Sequence, residues 1–122
     1  MISTSSILHA QAFMRGTCYR LFGKIFPRLS LGRGLRIWGG IRIIADGKII
    51  IGNNVHIGAG CYIQAGPGAE IYVGDGATMN TGCTIVAQRL IKIGGNVHIG
   101  EYTSLRDADH LGISHGFVSK YQ

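Results

Sequence analysis

"IGNNVHIGAGCYIQAGPGAEIY" (residues 51–72) and "IGGNVHIGEYTSLRDADH" (residues 93–110) begin with the same eight residues, apart from a glycine in place of one asparagine. Two further segments align with them: "LGRGLRIWGGIRIIADGKII" (31–50) and "VGDGATMNTGCTIVAQRLIK" (73–92). The first column reads Leu31, Ile51, Val73 and Ile93, each followed by glycine. Six residues on come Ile37, Ile57, Met79 and Ile99, and six further on Ile43, Ile63, Ile85 and Leu105. A large apolar residue at every sixth position, with a smaller one four later (Val55, Ala77, Val97; Cys61, Cys83, Thr103), is a hexapeptide repeat. Three hexapeptides complete one turn of a triangular coil.

The period has a physical origin. Each face of a triangular prism is a short strand, and each corner is a turn that glycine and small polar residues permit. One apolar residue per face points to the axis, and successive coils stack as parallel strands about 4.8 Å apart. A single coil cannot bury its own ring, so several must stack. Ile49/Ile51, Ile71/Val73 and Ile91/Ile93 add the period-2 alternation of a strand on the third face. The expected architecture is an all-β solenoid, a parallel β-helix of about four coils over residues 31–110.

Composition agrees. The chain has 122 residues, enough for one domain with a real core, and is 46% apolar and 15% charged, with twenty glycines and two prolines. That balance excludes a disordered tail and a helical bundle. Three cysteines, Cys18, Cys61 and Cys83, show no CxxC spacing, so neither a disulfide framework nor a zinc cluster is expected. The buried column of Cys61 and Cys83 reads as reduced thiols in a cytoplasmic setting. No apolar run reaches the length of a spanning helix, and the N-terminus lacks a basic region followed by an uninterrupted apolar one.

The formal charge of +6 favours an anionic partner, and eight of the twelve basic residues lie between Arg15 and Lys48. Interleaved aromatics or a recognised motif of nucleic-acid binding are missing, so no nucleic acid is expected. Residues 1–30 differ in kind from the repeat. Ile7, Ala10, Met14, Cys18, Leu21 and Ile25 recur at three- and four-residue steps, with His9, Arg20 and Lys24 on the far side, which predicts an amphipathic helix over about residues 3–26. Its apolar face has two uses: a cap that seals the open end of the β-helix, or a basic helix lying on the inner face of a membrane.

Chemistry is expected at one corner. The residues that lengthen the coils fall after the third apolar column, in "IADGK" (44–48), "QAGPGAE" (64–70) and "VAQRL" (86–90), and "RDADH" (106–110) occupies the same edge. Insertions stacked along one edge of a solenoid form its binding face. His56 and His98 share a repeated position, one residue before an inward Ile, which reads as an outward strand residue. His110 has no such counterpart and is flanked by Asp107 and Asp109, as a general base would be.

On these residues the chain resembles the hexapeptide-repeat acyltransferases. That resemblance implies a left-handed winding, which runs against the usual right-handed crossover and which the periodicity alone does not indicate. "IGEYTSLRDADH" is similar to the segment of polysaccharide and lipopolysaccharide O-acetyltransferases that ends in Asp-x-Asp-His, and "MRGTCYRLFGKIFPRLSLGRGLRI" to their entry segment. The resemblance implies acetyl-coenzyme A as acyl donor, with no metal, and a sugar hydroxyl of a surface polysaccharide as acceptor. His110 would be the base, Asp107 or Asp109 would hold its imidazole, and the assembly would be a homotrimer with the coenzyme groove shared between subunits. Such enzymes continue through further coils after the histidine. Residues 111–122, "LGISHGFVSKYQ", hold no complete hexapeptide, so a shortened C-terminal tail is expected. The same repeats also resemble γ-class carbonic anhydrases, where His110, His115 and one of His56 or His98 would ligate zinc. A trimeric scaffold without catalysis is the third reading.

Overall fold

The computed structural model describes residues 4–23 and 26–107. Among these residues one helix, α1 (Thr4–Gly23), precedes twelve short strands. The strands form three parallel sheets of four, one sheet for each face of the prism. The first sheet contains β1 (Leu29–Leu31), β4 (Lys48–Ile51), β7 (Glu70–Val73) and β10 (Leu90–Ile93). The second contains β2 (Arg36–Ile37), β5 (His56–Ile57), β8 (Thr78–Met79) and β11 (His98–Ile99). The third contains β3 (Arg42–Ala45), β6 (Tyr62–Ala65), β9 (Thr84–Ala87) and β12 (Ser104–Arg106). The chain is a parallel β-solenoid of about four turns, as the repeat predicts.

The register reproduces the sequence columns residue by residue. Ile37 pairs with Ile57, Ile57 with Met79 and Met79 with Ile99. Ile43, Ile63, Ile85 and Leu105 stack likewise on the third sheet. Leu31, Ile51, Val73 and Ile93 close the ring on the first. In the middle coils these side chains are fully buried, and no buried polar or charged side chain interrupts them among the described residues. Cys61 and Cys83 are buried free thiols, donating to the backbone oxygens of Asn80 and Gly100 at 3.2 and 3.1 Å. Burial pushes the Cys61 thiol upward, so it packs as a small hydrophobe.

The corners turn through left-handed backbone. Gly34 (φ 72°), Asn54 (φ 56°), Gly76 (φ 74°) and Asn96 (φ 59°) repeat at the first corner, where glycine or asparagine tolerates that conformation. Asn53 and Asp75, one residue before two of these, act as vertical ties. The Asn53 N–H donates to Asp75 Oδ1 at 2.8 Å, and the Arg33 N–H to Asn53 Oδ1 at 2.9 Å. Each side chain thereby satisfies a backbone donor of the coil before it.

The helix departs from expectation. It packs against β1 and β2, so it does cover the first coil. The face it applies, however, is Ala12, Gly16 and Gly23, with Tyr19 beside them, rather than the stripe of larger apolar residues. A Cβ on Gly16 would lie 1.7 Å from the Leu35 carbonyl oxygen, so only glycine permits this approach. Close contact between helix backbone and coil requires small side chains, and the larger ones are left on the opposite face. His9, expected far from the body, instead meets the Trp38 ring edge-on at 4.7 Å.

Candidate functional site at the third corner

The third sheet ends each turn at a corner where the chain swings back to the first sheet. The corner is two residues in the first and third coils (Asp46–Gly47, Gln88–Arg89) and four in the second, Gly66 to Ala69. Short loops stacked in this way form a continuous edge. At its start a groove of about 410 Å³ lies between Pro27, Arg28, Lys48, Pro67 and Glu70, with Arg28 donating to the Asp46 carbonyl at 2.6 Å.

Asp107 follows β12 at the same edge. Its carboxylate accepts three backbone N–H groups from the corner below: Gln88 on Oδ1 at 2.6 Å, and Arg89 and Leu90 on Oδ2 at 2.8 and 2.6 Å. These are charge-assisted bonds to exposed backbone donors of the turn. The arrangement enlarges the device seen with Asp75 and Asn53, in which a polar side chain of one coil ties down the backbone of the previous one. Both Asp107 oxygens are therefore engaged by the scaffold. Asp109, His110 and His115 lie outside the described residues.

The repeated histidines sit as the columns predict, on the outer side of the second sheet. His56 and His98 are separated by Thr78 in the register, two strand spacings or about 9.5 Å apart. His98 is exposed, whereas His56 is half-buried beneath Trp38, whose indole N–H donates to His56 Nδ1 at 3.2 Å. The rings are stacked with centroids 6.1 Å apart. Burial, with the Arg36 guanidinium, His9 and His98 nearby, holds the His56 imidazole below the usual histidine range. A neutral imidazole that accepts at Nδ1 carries its proton on Nε2, so it presents a donor and no free basic nitrogen to the cleft beside Asn80 and Thr81.

Two features escaped sequence reasoning. The Trp38–His56 bond joins adjacent coils through positions that are not in one column, so column reading does not reveal it; the single Trp two residues after Arg36 is its only trace. The tie made by Asp107 was readable in principle from Asp75 and Asn53, polar residues recurring at a corner. Beyond the last described coil, Ile93, Ile99 and Leu105 border an apolar cleft of about 360 Å³ together with Lys92 and His98. Among the described residues no helix is long and apolar enough to cross a membrane. No family model matches the chain, and neither the curated proteins nor the solved structures provide a match.

Proposed function

We propose that the chain is an O-acetyltransferase that moves an acetyl group from acetyl-coenzyme A to a sugar hydroxyl, with His110 as general base. The observation that carries this reading is the Asp107 clasp. It fixes Asp107, the last described residue before "ADH" (108–110) in the sequence, at the edge where the repeat carries its extra residues. The repeat and its resemblance to hexapeptide acyltransferases supply the reaction class.

In this reading the acceptor hydroxyl oxygen attacks the thioester carbonyl carbon while its proton passes to the His110 imidazole. The C–S bond then breaks, and the imidazolium returns the proton to the departing sulfur. The products are the O-acetyl sugar and free coenzyme thiol. Base assistance of this kind contributes about 10²- to 10⁴-fold. Because both Asp107 oxygens already serve the backbone, Asp107 is a positioning residue, and Asp109 takes the part of orienting the imidazole. A homotrimer would bring the His110 corner of one copy beside the coils of the next, where the coenzyme lies.

The test is thiol release from acetyl-coenzyme A with a panel of sugar acceptors, for the chain and for His110→Ala, with the number of copies checked by sedimentation. Turnover that depends on acceptor and on His110 supports the reading. An intact assembly that turns over in neither form would leave a scaffold in place of an enzyme.

A further inference from the structure

Among the described residues, several large apolar side chains of the helix face solvent. Ile7, Met14 and Leu21, spaced by seven residues, are 48%, 64% and 55% exposed, and the exposed Cys18 and Ala10 lie on the same face. Phe13 and Phe26 are also exposed, Phe13 with the Arg36 guanidinium 5.4 Å from its ring centroid. The stripe faces away from Ala12, Gly16 and Gly23, the residues that meet the solenoid. It is therefore not the cap contact, and the described residues place nothing on it.

The charge around this stripe is one-sided. Residues 1–45 contain seven Lys and Arg and no Asp or Glu, whereas residues 46–122 contain five basic and six acidic residues. The whole positive excess thus belongs to the helix and the first coil. Arg20 flanks the stripe on one side, and on the other lies Arg15, whose guanidinium also donates to the Ile37 carbonyl at 3.3 Å. Arg33 and Arg42 of the first coil are exposed near the same end of the molecule.

We infer that this end of the protein docks on an anionic phospholipid surface, with α1 lying in the plane of the interface. A bilayer supplies both complements at once: acyl chains for Ile7, Met14 and Leu21, and phosphates for the flanking arginines. A second copy of the chain answers only half of the requirement, since pairing stripe on stripe would set two acid-free basic zones against each other. The inference is independent of the acetyl-transfer reading and needs no catalysis.

The experiment is co-sedimentation of the full chain with vesicles of phosphatidylcholine alone and of phosphatidylcholine mixed with phosphatidylglycerol. The expected result is partition at least tenfold stronger onto the mixed vesicles, falling as salt is raised. Met14→Glu and Leu21→Glu should each weaken that partition at least tenfold without moving the thermal transition, while Leu90→Glu, an exposed apolar residue on the solenoid, should leave it unchanged. Equal pelleting on both vesicle types, no pelleting, or helix variants that partition like the parent would overturn the inference. So would helix variants that alter the number of associated copies and leave lipid partition untouched, since the stripe would then be seated on a second copy.

Discussion

The solenoid and the helix both show apolar periodicity, but it specifies the packing partner only in the solenoid. In the solenoid, Ile37, Ile57, Met79 and Ile99 form a column because each coil is the packing partner of the next. The repeat therefore states both which residues are apolar and what they touch. In α1 the periodicity of Ile7, Met14 and Leu21 identifies an apolar face, but the partner is a different element, and Ala12, Gly16 and Gly23 approach it more closely. A helix with one small face and one large apolar face can dock by either. Here the small face meets the protein, and among the described residues nothing covers the large one.

The predictions that test this contrast run from the core outward. Ile63, fully buried in the second coil, should be the most sensitive position: Ile63→Ala is expected to destabilise the fold by about 3–4 kcal/mol, read from chemical denaturation. Next is the helix contact. Gly16→Val drives side-chain atoms into the Leu35 carbonyl, and should destabilise by about 1–3 kcal/mol while lowering helical circular dichroism. If Gly16→Val were silent, the helix would not dock by its small face.

Asp107→Ala leaves three backbone donors of the lower corner without their acceptor and should destabilise by about 1–2 kcal/mol. Asp107→Asn keeps one acceptor oxygen and should recover part of the loss in both stability and turnover. An Asn variant as inactive as the Ala variant would show that the carboxylate charge acts on the chemistry, against the positioning role.

A smaller effect is expected from His56. Its proton affinity is depressed in the fold by burial, then by Arg36, His9 and His98, so the unfolded chain binds the proton more readily. Its contribution is fully present above the unfolded value near 6.5 and is lost as pH falls below it toward the lower folded value. Thermal melts from pH 7.5 to 5 should decline less steeply for His56→Gln than for the parent. The smallest effect is Met14→Ser, which should change stability by no more than about 0.5 kcal/mol because Met14 has little packing to lose.

The sequence made most of the fold legible, because the six-residue column survives in every coil and strand register follows from it. It made the candidate site legible only in part. In the sequence the third corner and the unrepeated His110 stand out against the columns, and the structure places Asp107 at that corner. What column reading does not convey is how a side chain is used once it is there: the Asp107 oxygens take backbone N–H groups of Gln88, Arg89 and Leu90, and Trp38 reaches His56 across columns. Both are contacts between coils through side chains that do not repeat.

The central claim is the proposal that His110 serves as the general base of acetyl transfer. Its most direct test is acceptor acetylation in a single turnover, comparing the chain with His110→Ala at matched thermal stability and copy number. The account predicts formation of an O-acetyl sugar that slows by about 10²- to 10⁴-fold in the variant. Acetylation at the same rate in both proteins would contradict it.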